Sequence, residues 1–183
     1  MAGRIILISG PCGAGKTTVA RILAEEALGS AVHLHTDDFY HSIRKGYIPP
    51  WLDGSADQNE TVVEAAAAAA KRFAEGGYEA YVDGVIGPWF LEPWIRLAEA
   101  DFDVRYVVLR PDERTTLTRA LRRRQQAQFP MNGDAIAGIW RSLADLGCYE
   151  SHAVDTSAMN ARECAAYLRK RLEMQLFRLL RQA

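Results

Sequence analysis

The sequence predicts an α/β fold: a five-stranded parallel sheet with helices on both faces. Short apolar runs alternate with longer segments of helical period, and the runs are dense in β-branched and aromatic residues, as strands covered on both faces require. Length agrees, because 183 residues suit one domain with a substantial core, so residues 1–183 are read as a single unit.

The strands expected in order are "RIILIS" (4–9), "AVHLH" (31–35), "EAYVD" (79–83), "VRYVVLR" (104–110) and "HAVDT" (152–156). A helix follows the first from Thr17 to about Leu28, stopping at Gly29. "FYHSIRK" (39–45) reads as a short helix after the second strand. The alanine-rich helix opens on a Thr61-x-x-Glu64 capping box and closes at Gly76-Gly77. Another helix starts near Asp112 after Pro111, and the last begins at Asn160, where Asn-x-x-Glu163 is a second cap, and continues through "YLRKRLEMQLFRLL". Segments 46–59, with Pro49-Pro50 and Gly54, and 127–134 break the rhythm and are expected to be irregular, the second separating an arginine-rich helix from a shorter one.

Composition narrows the function classes. The net charge of −1 gives no electrostatic case for a nucleic-acid or membrane-surface partner. Three cysteines without a CxxC pair argue against a disulfide framework or a zinc site, and a reducing cytoplasm is expected. "MAGRIILISG" is too short for an export signal, and no apolar stretch is long enough to span a bilayer.

The sharpest signal is "GPCGAGKT", which matches G-x-x-x-x-G-K-[ST] from Gly10 to Thr17, after a strand and at the start of a helix. Backbone N–H groups of such a loop wrap phosphates at the positive end of the helix, the lysine reaches the terminal phosphates, and the hydroxyl serves Mg²⁺. Gly10, Cys12, Gly13, Ala14, Gly15, Lys16, Thr17 and Thr18 are therefore expected to hold a nucleotide in a P-loop NTPase fold. Cys12 and Ala14 read as small residues that the tight loop accommodates, and no histidine neighbours Cys12 to make it a nucleophile. The Asn-Lys-x-Asp guanine signature is missing, and the chain is too short for a motor ATPase core with its helical lid.

This loop, "TDDFY" after the second strand, "VDG" after the third and the arginine-rich helix after the fourth together resemble the P-loop small-molecule kinases. That group includes shikimate, gluconate, uridine and nucleoside-monophosphate kinases and chloramphenicol phosphotransferase. The last is similar in length and in its acidic turn after the third strand, and uridine kinases are similar in "D-x-F-Y". The resemblance spans essentially the whole chain, although residues 44–58 match no acceptor-binding pattern of the group. It implies an ATP- and Mg²⁺-dependent phosphotransferase acting on a hydroxyl of a small molecule, with a small lid at about residues 119–146.

The resemblance also implies roles. Asp37 takes the place of the catalytic base, Asp83 joins Thr17 at the metal, and Arg119 and Arg123 clamp phosphates, with Arg122 or Arg124 able to replace either. Each has a structural alternative: Asp83 can be an ordinary strand-ending Asp-Gly turn, and the arginines a solvated helix face. Asp38 is either a substrate ligand or the first-turn acid or cap of the next helix. Tyr40, Trp51 and Trp89 belong to an aromatic cluster, with Phe39, Tyr47 and Trp94, that suits a ring-bearing acceptor. Arg44 is a candidate for an anionic one, and Trp94 serves equally as core. His33 and His35 are expected to be structural histidines of a buried strand. Two other readings stay open: a nucleotide-binding regulatory ATPase or sensor, and a nucleoside or nucleotide kinase in which Arg44 or Arg96 serves the acceptor.

Overall fold

The computed structural model describes residues 3–123 and 131–180. Five strands, β1 (Ile5–Ser9), β2 (Ala31–His35), β3 (Glu79–Asp83), β4 (Val104–Leu109) and β5 (Ala153–Val154), form one sheet in the order β2-β3-β1-β4-β5. Every pairing is parallel. The expected fold is the observed one, and β2 and β3 keep the expected bounds.

Alternation along β1 divides the interior. Ile5 and Leu7 face a layer with α3 (Ala56–Glu75) and α4 (Glu92–Glu99), where Ala66, Ala70 and Trp94 are fully buried. Ile6 and Ile8 face α1 (Lys16–Glu25) and α7 (Ala161–Glu173). Trp94 is thus core and not acceptor wall. The alanine run works by its small size as well as its helix propensity, since it lets α3 lie close on the sheet. The remaining helices are α2 (Thr36–His41), α5 (Glu113–Arg123) and α6 (Gly133–Ser142).

Several boundaries differ from expectation, for local reasons. α1 ends at Glu25, capped by Glu26, so Gly29 is not its terminus. The Thr61–Glu64 box does not form, because α3 has already begun at Ala56 and Thr61 Oγ1 donates to the Asp57 carbonyl inside it. α2 spans Thr36–His41, starting before Phe39 and leaving Arg44 and Lys45 beyond its end. The Pro88–Phe90 turn and α4 were hidden by Pro88 and Pro93, which suit the first positions of a helix but obscure its period. The Asn160 capping box forms as expected.

α7 stops at Glu173 and does not continue to Leu180. Gln175 (φ 61°) and Phe177 (φ 62°) turn the chain left-handed, and the tail then runs antiparallel to the start of β4. Tyr106 N donates to the Phe177 carbonyl (2.8 Å) and Leu179 N to that of Val104 (2.9 Å). β5 itself pairs only with Val108 and Leu109, so this tail covers the length of β4 that the short strand leaves open. Among the described residues no helix is long and apolar enough to cross a membrane.

Candidate functional site

The loop between β1 and α1 lies at the carboxyl edge of the sheet, where ligands bind in open α/β folds. Gly13 (φ 90°) sits so close to α5 that a Cβ would lie 2.6 Å from the Thr116 carbonyl oxygen, so the loop and the arginine-rich helix are packed in direct contact. Lys16 is buried and its Nζ donates to the Pro11 carbonyl (3.1 Å), which holds the ammonium across the loop.

Strand order brings the acids to this loop. β3 lies between β1 and β2, with Asp83 in register with both Ile8 and His35. Its carboxylate is 0% exposed and fully engaged: Thr17 Oγ1 donates to Oδ2 (2.8 Å), His33 Nε2 lies 2.5 Å from Oδ1, and His35 Nδ1 lies 3.1 Å from Oδ2. The following Gly84 would, with a Cβ, come within 2.1 Å of Thr36 Oγ1, so only glycine allows the corner between β2 and α2 to sit against the end of β3. That corner carries Asp37, whose Oδ2 lies 3.3 Å from His35 Nε2. His35 therefore bridges the two carboxylates.

The charges follow from these contacts. Burial alone would lower the His35 pKa, but its hydrogen bonds to Asp37 and Asp83 push it up to about 10. Burial would raise Asp83, yet the hydrogen bonds from His33 and His35 and the charge of Lys16 hold it well below the usual carboxylate range. Asp37 is likewise lowered: the partial desolvation of its exposed side chain at the cleft wall is outweighed by His35 and Lys16. Burial raises the Cys12 thiol, which leaves it a small loop residue and no thiolate nucleophile.

A group whose folded pKa is raised stabilises fully below its unfolded value and stops doing so above its folded value. For His35 that window runs from the ordinary 6.5 to about 10. A series of thermal unfolding curves should therefore show wild-type stability falling across this window, and His35→Gln should show a shallower fall. Parallel curves for the two proteins would contradict the bridge.

These groups open into a cleft of about 650 Å³. Lys16, Thr17, His35 and Asp37 line it together with the aromatic residues Tyr40, Tyr47, Trp51, Trp89 and Phe90. Two of these aromatics come from the segment expected to be irregular, which is irregular through Ser55 and helical from Ala56. It is nonetheless pinned to the start of α3. The Gln58 side chain accepts from Ile48 N (2.9 Å) and donates to Ile48 O (2.6 Å), while Ser55 Oγ and Asn59 Nδ2 both donate to Pro50 O at 2.9 Å.

Sequence candidates divide accordingly. Lys16, Thr17, Asp37, Tyr40, Trp51 and Trp89 share the cleft, with Cys12 and Gly13. Asp38 and Arg44 are exposed and are not among the cleft-lining residues. Asp38 lies in the first turn of α2, where a carboxylate favours the helix, but the N-cap is His35. Arg119 turns its Nη2 toward the Ser157 and Met159 carbonyls, each 3.4 Å away. The side chain of Arg123 and all of Arg124 lie outside the described residues, as does the 124–130 part of the lid expected at about 119–146. Among the described residues of that expected segment, Met131, Ile136 and Ile139 line the cleft, and Cys12 Sγ touches Met131 Sδ at 3.6 Å.

The residue that sequence reasoning undervalued is His35. Its signal was present as His-x-His, which puts His33 and His35 on one face of β2, but their partner became visible only through the register with Asp83.

Comparison with known proteins places this geometry. A model of the AAA domain family matches residues 6–135. Among solved structures, the fold matches APS kinase from Mycobacterium tuberculosis in complex with AMPPNP and APS (TM-score 0.68, 17% identity, covering 94% of this chain and 98% of that one). The Deinococcus radiodurans tunicamycin resistance protein matches at TM-score 0.64 and 20% identity, covering 93% and 95%. A gluconokinase from Sinorhizobium meliloti matches at 0.58 and 18%, covering 96% and 98%. No curated protein matches the chain in sequence. The fold is that of the P-loop kinases.

Proposed function

The chain belongs to the AAA domain family, and from that premise we propose that it is an ATP- and Mg²⁺-dependent phosphotransferase whose acceptor is a hydroxyl on a small, ring-bearing molecule. The observation that carries the reading is one cleft lined by Lys16 and Thr17 of the loop, by Asp37, and by five aromatic side chains.

The nucleotide phosphates would lie in the loop from Gly10 to Thr18, against the N-terminus of α1 and Lys16. Thr17 fits a magnesium site: its hydroxyl proton is committed to Asp83, which leaves its oxygen lone pairs for a hard cation, while Asp83 orients it from behind. Bound there, Mg²⁺ supplies neutralisation of charge on the phosphates. Asp37 accepts the proton of the acceptor hydroxyl as its oxygen forms a bond to the γ-phosphorus. The bond from that phosphorus to the oxygen bridging it to the β-phosphate breaks, and ADP leaves. Arg119 and Arg123 complete the proposal as lid cations.

The aromatic rings favour a flat or ring-bearing acceptor, since they offer large contact faces with few polar demands. A nucleotide acceptor would need a cation for its phosphate. Arg44 is outside the cleft, and Arg96, in the adjoining groove, is engaged by Glu64 (2.6 Å) and Glu92 (4.0 Å). ADP release from MgATP, screened over hydroxylated ring compounds, tests the reading. Release stimulated by neutral ring-bearing alcohols is expected, and stimulation by nucleoside monophosphates alone would replace this reading with the nucleotide-kinase one.

A further inference from the structure

We propose that His35 is the positioning residue of this site, holding Asp37 at a set place relative to the Thr17–Asp83 pair by facing one carboxylate with each of its ring nitrogens. The proposal rests on the phosphotransfer reading above and adds to it how the base is fixed.

The Asp37 side chain is 59% exposed, so packing does not hold it. A carboxylate in that situation samples several rotamers, and a displacement of about 1 Å can cost about a hundredfold in rate. His35 Nε2 approaches its Oδ2 to 3.3 Å, within ion-pair distance. His35 is itself immobilised, because it sits at the end of β2 in register with Asp83, and Asp83 is anchored in turn by His33 and Thr17. The chain of contacts runs Thr17, Asp83, His35, Asp37. It links the group that would serve the cation to the group that would serve the acceptor.

The geometry also contains its own control. His33 lies on the same strand face and contacts the same Asp83 carboxylate, but no contact joins it to Asp37. Any effect that comes merely from stitching β2 to β3 should appear at both histidines. An effect transmitted to Asp37 should appear at His35 alone.

Two measurements on the full chain decide the matter. The first is NMR of protein labelled with ¹⁵N-histidine. Two slowly exchanging ring N–H signals are expected for His35, and Asp37→Ala should abolish the protection of the Nε2 proton while leaving the Nδ1 proton protected. A His35 ring indifferent to Asp37→Ala overturns the proposal, whether or not the protein transfers phosphate.

The second is a double-mutant cycle on the rate of ADP release from MgATP. His35→Ala is expected to slow release at least about tenfold with the KM for MgATP unchanged, and His35→Gln to restore part of the loss. Added to Asp37→Asn, His35→Ala should cost nothing more, whereas His33→Gln should act independently of Asp37→Asn. Additivity of the His35 and Asp37 substitutions overturns the proposal. No ADP release from wild type with any acceptor would instead contradict the phosphotransfer reading, and the NMR result would still decide whether His35 holds Asp37.

Discussion

Lys16→Ala is expected to weaken MgATP binding about 10- to 100-fold in titration calorimetry. The expectation follows from what the side chain is and where it lies. Lys16 is buried at the N-terminus of α1, so its ammonium would meet phosphate oxygens of a bound nucleotide in a site largely screened from water. A hydrogen bond to a charged group contributes about 1.5–3 kcal/mol, and each 1.4 kcal/mol is a factor of ten in affinity. The loss extends further in phosphoryl transfer, since a cation aimed at the migrating group stabilises charge that develops only in the transition state. Unchanged binding in a folded Lys16→Ala protein would remove the phosphate loop from the account.

Asp37→Asn separates binding from chemistry. The amide keeps the size and some of the polarity of the carboxylate but cannot take a proton, so nucleotide affinity should stay within a few fold of wild type. General bases contribute about 10²- to 10⁴-fold, and acceptor-dependent ADP release should fall by that order. Asp38→Asn provides the comparison. Asp38 is exposed in the first turn of α2 and does not line the cleft, so its substitution should leave turnover nearly unaltered. A larger loss at Asp38 than at Asp37 would invert the assignment of the adjacent pair.

The adjacent aspartates show where sequence was informative and where it was not. The phosphate loop was legible because its chemistry is local: a strand, three glycines, a lysine and a threonine within a few residues define it. The parallel sheet was legible for the same kind of reason, since each buried strand carries its own apolar signature. The resemblance of "TDDFY" to uridine kinases pointed to Asp37, and the structure places it in the cleft with Lys16 and Thr17.

What was not legible depends on pairing between distant segments. The contact of His35 with Asp83, which is 48 residues away, depends on the register of β2 with β3. The Thr61–Glu64 box was a sound local signal defeated by Ser55 and Asn59 binding the Pro50 carbonyl, contacts that accompany an earlier start of the helix. The end of α7 was hidden in the same way, because residues 175–180 have a helical pattern but gain hydrogen bonds and burial of Leu179 by pairing with β4. A helix over 39–45 would put Arg44 near its end, and the helix instead ends at His41.

The fold supports binding of a nucleotide, while transfer to an acceptor is the claim most open to direct contradiction. Phosphorus NMR of wild-type protein turning over MgATP with a ring-bearing alcohol from the screen measures it. The account predicts a phosphate-monoester signal growing in step with ADP and absent in Asp37→Asn. Growth of inorganic phosphate alone, in step with ADP for every acceptor, would mark a nucleotide-hydrolysing regulator and contradict the account.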